Sequence, residues 1–179
     1  SYPPLFRSSV RFSDSTSTQP LSPLTSWTDI GGKQFYSGEA TYTRDFTLPA
    51  HPAHTVIDFG QGTPTTDNRG PRANGIHALL DPPIREAAIV ILNGKRVASL
   101  WHPPYRLDVT SFVHPGKNTI EVRVDNTAIN ALAGQPPHDY TALYAKYGKL
   151  FEPQDMNNLK PIPSGLLGPV RIITQEPAR

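Results

Sequence analysis

The 179-residue chain contains no cysteine, one methionine and no long apolar run. Without cysteine there can be no disulfide, thiolate zinc site or cysteine nucleophile, although the redox compartment stays open. A membrane-spanning helix needs roughly 18 to 20 consecutive apolar residues, and none is found; no membrane partner is expected. The start, Ser1-Tyr2-Pro3-Pro4, lacks the basic and then apolar order of a leader peptide, so the chain is expected to be soluble and either mature or excised. Charge is also sparse. The 17 basic and 15 acidic residues leave a net charge of +2 and are scattered, whereas binding to a phosphate backbone relies on clustered Lys and Arg. Nucleic acid is not expected as a partner.

What the chain does hold is proline and glycine, 20 and 13 residues, with a hydrophobic content of 37%. That composition favours turns and loops over long helices. A chain of this length buries roughly 70% of its unfolded surface around one core, so a single domain over 1–179 is expected.

Residues 1–36 are rich in Ser, Thr and Pro, with isolated apolar anchors such as Val10, Phe12 and Leu24; they read as an arm packed on a sheet, with short strands at most. Trp27 in this arm is either an anchor or a ligand platform. Ala40, Tyr42, Arg44 and Phe46 alternate with Glu39, Thr41, Thr43 and Asp45, a two-residue period that predicts a strand. A second strand is predicted over 54–59, with Thr55, Ile57 and Phe59 on one face. Residues 61–83 make an unusually long loop, a kind that is commonly functional or disordered.

The clearest local signal is Ala87-Ala88-Ile89-Val90-Ile91-Leu92, then Asn93-Gly94, then Lys95 to Trp101. Asn-Gly tolerates positive φ at both centres of a type I′ turn, so a hairpin is predicted. Strands are also expected over 105–110, over 118–126 with Ile120, Val122 and Val124 on one face, and over 168–174. Between Asn130 and Gly148 the spacing of Tyr140, Leu143, Tyr144 and Tyr147 predicts a short surface helix covering a sheet edge, with His138 or Asp139 near its start. The fold class is therefore all-β, an antiparallel sandwich with one short helix and long loops, made of a 37–174 core, the 1–36 arm and a 175–179 tail.

The run Tyr105-Arg106-Leu107-Asp108-Val109-Thr110, then Pro115-Gly116-Lys117-Asn118 and Ile120 to Asn126, resembles the sugar-binding jelly-roll domain of family 2 glycoside hydrolases. Ile76 to Ala88, Leu92-Asn93-Gly94-Lys95, Trp101 to Arg106, Asn126 to Asn130, Gln154-Asp155-Met156 and Pro163 to Val170 resemble the C-terminal region of family 106 α-L-rhamnosidases. The likeness covers roughly residues 36–174. It implies a jelly-roll sandwich of the galactose-binding-domain kind, from a hydrolase whose catalytic carboxylates and calcium lie in a barrel absent here. It also implies a carbohydrate partner containing rhamnose, association with a catalytic hydrolase domain, and a secreted or periplasmic location. No catalytic residue carries over.

Sugars stack their C–H faces on aromatic rings while amides, Arg and carboxylates take the hydroxyls. Trp101, His102, Tyr105 and Arg106 offer that mixture in one segment, and Asn126, Asn130, His138 and Tyr140 follow a strong strand where loops cluster. These eight are the candidate carbohydrate-binding residues. The competing reading packs Trp101 and Tyr105 under a loop and leaves the two Asn satisfying backbone groups. Asp108, Glu121, Glu39 and Asp45 read as turn caps and outward-facing strand acids rather than a hydrolytic pair. Ser164-Gly165 lacks a nucleophile elbow and reads as a tight turn. The histidines show no metal spacing; no cofactor is required, and a structural calcium held by carbonyls and one Asp stays open. Two other functions are kept: a small stand-alone polysaccharide-active enzyme using the 61–83 loop, and a purely structural module docking a catalytic domain.

Overall fold

The computed structural model describes residues 8–49, 52–64, 80–151 and 159–175. Among the described residues thirteen strands run in chain order: β1 (Ser8–Phe12), β2 (Gln19–Leu21), β3 (Glu39–Leu48), β4 (His54–Asp58), β5 (Thr63–Pro64), β6 (Leu80–Asp81), β7 (Ile84–Arg85), β8 (Ala87–Leu92), β9 (Lys95–Leu100), β10 (Arg106–Asp108), β11 (Gly116–Asp125), β12 (Gly165–Leu166) and β13 (Arg171–Gln175). Two short helices, α1 (Ile129–Ala133) and α2 (Thr141–Tyr147), follow β11. The main layer is a six-stranded antiparallel sheet ordered β2-β1-β3-β11-β8-β9, and a second sheet is ordered β10-β4-β13. This is the all-β sandwich that the alternating sequence predicts.

The core follows from period-two alternation. Along β11 the buried residues are Ile120, Val122 and Val124; along β8 they are Ala88, Val90 and Leu92. Register pairs Val122 with both Tyr42 and Val90, and Val124 with both Ala40 and Ala88, so one apolar row crosses three strands. On β4 the buried set is Thr55 and Ile57, with Phe59 just beyond the strand, as predicted. Asn93 and Gly94 take φ of 51° and 78° between β8 and β9, the positive values that a type I′ turn demands.

Three expectations are revised. The arm does not merely lie on the sheet: β1 pairs with β3, Val10 opposite Tyr42, and extends the main layer with β2. Only its later part, around Trp27, lies against the inner face. The strand expected over 105–110 is the three-residue β10, followed by a 3₁₀ turn over Thr110–Phe112. Finally, α2 is bounded as foreseen, by Asp139 just before it, whose carboxylate accepts from the Thr141 N–H and hydroxyl at 2.9 and 2.6 Å, and by Gly148 after it at φ 53°. Yet its apolar residues are not buried on a sheet edge, as Leu143, Tyr144 and Tyr147 remain exposed. The middle of the long 61–83 loop lies outside the described residues; at its base, Thr63 pairs with Asp81 in a two-residue ladder.

Candidate functional site

Five segments distant in sequence meet at Trp27. Its indole is fully buried and packs edge-on against Phe12 and Tyr36, with centroids 5.5 and 5.4 Å away. Its Nε1 donates to the Tyr42 hydroxyl at 2.6 Å, and that oxygen also accepts the Leu166 N–H at 3.1 Å. Burial pushes the Tyr42 phenol up to about 12. The Trp27 N–H donates to the Ser164 carbonyl at 3.0 Å, while the Ser164 N–H donates to Ser26 Oγ at 3.0 Å. Gly165 has φ 98°, and a Cβ there would collide with both the indole and the Tyr42 hydroxyl, so glycine is required on two grounds.

Asn126 and Asn130 belong to this same clasp. Both Nδ2 groups donate to Ser164 Oγ, at 3.1 and 3.0 Å. Asn126 Oδ1 accepts the Gly38 N–H at 2.9 Å, and its Nδ2 also reaches the Tyr36 carbonyl. Asn130 has no exposed surface; its Oδ1 accepts the Ile162 N–H at 2.8 Å and its Nδ2 reaches the Ile162 carbonyl. A buried amide with every hydrogen-bonding atom engaged inside the chain has nothing to offer a sugar. That describes Asn130; Asn126 is half-buried, with its amide atoms likewise engaged by Gly38, Tyr36 and Ser164.

The Trp101 segment divides. Trp101 follows β9 and is 68% exposed, with its ring edge-on to His102 at 4.5 Å. His102 Nδ1 lies 2.6 Å from the Pro103 carbonyl. The two prolines carry the chain from the six-stranded to the three-stranded sheet, and Tyr105 then turns inward, 6% exposed. Burial, with a smaller contribution from the Glu86 charge, raises its phenol above the ordinary range. Arg106, on β10, is exposed and has Nε 3.4 Å from Asp58 Oδ2. Packing therefore holds for Tyr105, whereas Trp101, His102 and Arg106 stand at the surface.

The last two candidates belong to a separate aromatic cluster. The Tyr140 ring lies 5.8 Å from His138 and 5.4 Å from Phe151, and Tyr144 lies 5.2 Å from Phe151. Leu150 beside them is 92% exposed. Of the eight candidates, Trp101, His102, Arg106 and His138 are exposed, Asn126 and Tyr140 are half-buried, and Tyr105 and Asn130 are buried.

The acids serve local structure. Asp108 Oδ1 accepts from the Thr110 N–H and hydroxyl, and these bonds, with His54 nearby, hold its carboxyl below the usual range. Glu121 pairs with Arg123 at 2.6 Å. Asp45 meets Lys117 at 2.8 Å and the Thr119 hydroxyl at 2.6 Å, which lowers its pKa too. Among the described residues no group of three His, Cys, Asp or Glu could hold a metal ion, and no helix is long and apolar enough to cross a membrane.

Sequence reasoning passed over Arg44. It occupies the core-facing row of β3 with Ala40 and Tyr42, opposite Ile120 on β11. Its Nε and Nη1 are shielded from solvent and have no hydrogen-bond partner among the described residues. A charged residue inside an otherwise apolar alternation was the available signal.

No family model matches the chain. A protein of Formosa agariphila assigned as a beta-glucuronidase is 30% identical over 171 residues, covering 83% of this chain and 13% of that protein. The rhamnosidase of Novosphingobium sp. PP1Y matches in three dimensions with a TM-score of 0.67 and 28% identity, over 96% of this chain and 15% of the enzyme. The beta-glucuronidase of Faecalibacterium prausnitzii shares the fold, with a TM-score of 0.59 at 18% identity over 97% of this chain and 31% of that one. The relatives are glycoside hydrolases, and the chain spans only a small part of their length. A sandwich accessory to a sugar hydrolase fits both the fold and these matches.

Proposed function

We propose that the chain is a non-catalytic β-sandwich domain of a larger α-L-rhamnosidase-like glycoside hydrolase, supporting the catalytic domain. The observation that carries this reading is the match of nearly the whole chain to a segment amounting to 15% of the Novosphingobium rhamnosidase. The geometry agrees: the acids are engaged in turns and strand pairs, and the apolar side chains of α2 are left at the surface. In this proposal residues 1–179 form a single domain, secreted or periplasmic with its hydrolase. The chain alone is expected to release no reducing sugar from rhamnose-containing glycans. Release that disappears in an acid-to-amide variant would overturn the reading in favour of a stand-alone enzyme.

A second reading gives the domain a binding role, favoured by the 68% exposure of Trp101 beside His102. Exposed indole is a ready platform for a sugar face. Titration of the chain with L-rhamnose and rhamnose-containing oligosaccharides, followed by tryptophan fluorescence and indole N–H shifts, tests it. Trp101→Ala should remove any response; no response in the parent chain leaves the supporting role alone.

A further inference from the structure

We propose that the exposed apolar face of α2 is a docking surface whose occupant is the remainder of the larger hydrolase polypeptide, meeting it with an apolar patch rimmed by acidic side chains. The identity of that polypeptide rests on the function proposed above; the docking face stands on geometry. Among the described residues, Leu143, Tyr144, Tyr147 and Leu150 are all exposed and fall within 143–150, whereas the other exposed large hydrophobics, Phe35, Trp101 and Leu132, are spread along the chain. Single apolar side chains at a surface are ordinary, but a cluster marks an interaction site. Among the described residues no hydrogen bond or ion pair ties 138–151 to the rest of the chain. Asp139 accepts from Thr141, the Tyr144 N–H donates to the Tyr140 carbonyl, and the Gly148 N–H donates to the Tyr144 carbonyl. A helix of seven residues is marginal in water by itself, and such helices draw their stability from packing an apolar face. Here that face is open.

Two observations choose the occupant. The chain corresponds to 13%, 15% and 31% of the lengths of the three hydrolases compared above, so in each of them a far larger body is joined covalently to the matching segment. A tethered partner acts at high effective concentration, and a modest patch is enough to hold it. Charge is the second observation. Lys146 lies in the last turn of α2 and Lys149 in the 3₁₀ turn over Gly148–Leu150, both exposed and without an acidic partner among the described residues. By contrast, Lys33 and Lys117 are paired with Asp14 and Asp45. Asp139, the one acid in 138–151, is turned onto Thr141. A centre of tyrosine and leucine with a basic rim is complementary to an apolar patch with an acidic rim. A sugar suits this face poorly: Leu143 and Leu150 have no side-chain polar atom for a hydroxyl, and Tyr144 meets Tyr140 and Phe151 edge-on.

The test is amide hydrogen exchange over 138–151, read by mass spectrometry and compared between the 179-residue chain and the polypeptide of its complete reading frame. The stretch should exchange at least about tenfold more slowly in the longer polypeptide, with β11 equally protected in both. In that polypeptide Leu150→Asp should return exchange to within about twofold of the 179-residue chain. Lys146→Glu combined with Lys149→Glu should weaken the protection, since it sets like charges against an acidic rim. All three positions are exposed, so retained β11 protection shows that the sandwich of each variant is folded. Equal exchange in the two polypeptides would overturn the docking face. So would slow exchange in the 179-residue chain alone, whether the cover comes from within the chain or from a second copy at high concentration. Protection that survives the lysine reversal would overturn the acidic rim. A reading frame that encodes no hydrolase domain would sink the function proposed above and this occupant with it, whereas a hydrolase-bearing polypeptide with α2 unprotected would sink the docking face alone.

Discussion

The Trp27 clasp and the α2 segment are built from the same kinds of residue and end in opposite environments. In the clasp, Trp27, Tyr42, Asn130 and Ser164 have little or no exposed surface and hydrogen-bond to one another or to nearby backbone. Around α2, Tyr144, Tyr147 and Leu150 stand in solvent and pack chiefly on neighbours within their own segment. The contrast teaches that an aromatic or amide residue near a loop is not by itself a ligand group. What separates the two regions is whether distant segments converge on the residue and consume its polar atoms.

Substitutions should expose this difference. Trp27→Ala should have the largest effect, destabilising the chain by about 3 to 5 kcal/mol in denaturant unfolding, the range for large aromatic truncation in a core. A loss below about 1 kcal/mol would mean that the clasp is not the keystone. Asn130→Ala should cost about 2 to 3 kcal/mol, because it strands the Ile162 N–H and removes a donor from Ser164 Oγ.

The Tyr42 phenol gives the clasp a pH signature. Its folded value of about 12 lies above the ordinary 10.0, so the folded state holds the proton more tightly. The associated stabilisation is complete below about pH 10 and is lost as the pH rises toward 12, a decline of order 3 kcal/mol. Tyr42→Phe should flatten that decline in alkaline unfolding curves. Asp45 and Asp108 act in the opposite sense: with folded pKa values below the ordinary 3.8, their contribution is present above that value and is lost as the pH falls from there through the lowered folded values. Both are exposed, and Asp108→Asn should alter acid unfolding only slightly. Leu150→Ser in the α2 segment should have the smallest effect, within about 0.5 kcal/mol in thermal unfolding, as expected for an exposed side chain. A large loss there would show that α2 is already packed against something within this chain.

Much of the fold was legible. Alternation located β3, β4, β8 and β11, Asn93-Gly94 specified the hairpin turn, and β-branched residues marked β13, because these signals are local. The arm was harder to read. Ser9 and Arg11 sit in a polar stretch whose strand character arises only from pairing with Thr43 and Thr41, and tertiary pairing overrides weak propensity. The candidate site was less legible still. Trp101 and Tyr105 are four residues apart, yet one is exposed and the other buried, since the turn at Pro103-Pro104 reverses which side faces the core.

The sequence by itself determined an all-β chain with a type I′ hairpin, a short helix ending at Gly148 and no cysteine chemistry, since each depends on neighbours along the chain or on composition. Only the tertiary structure decided that Asn126 and Asn130 close on Ser164, that α2 leaves its aromatic face uncovered, and that two Arg44 nitrogens lie shielded on the core-facing row of β3. The physical reason is one of range: backbone preference is set within a few residues, whereas burial and hydrogen-bond partnership depend on which distant strands arrive alongside.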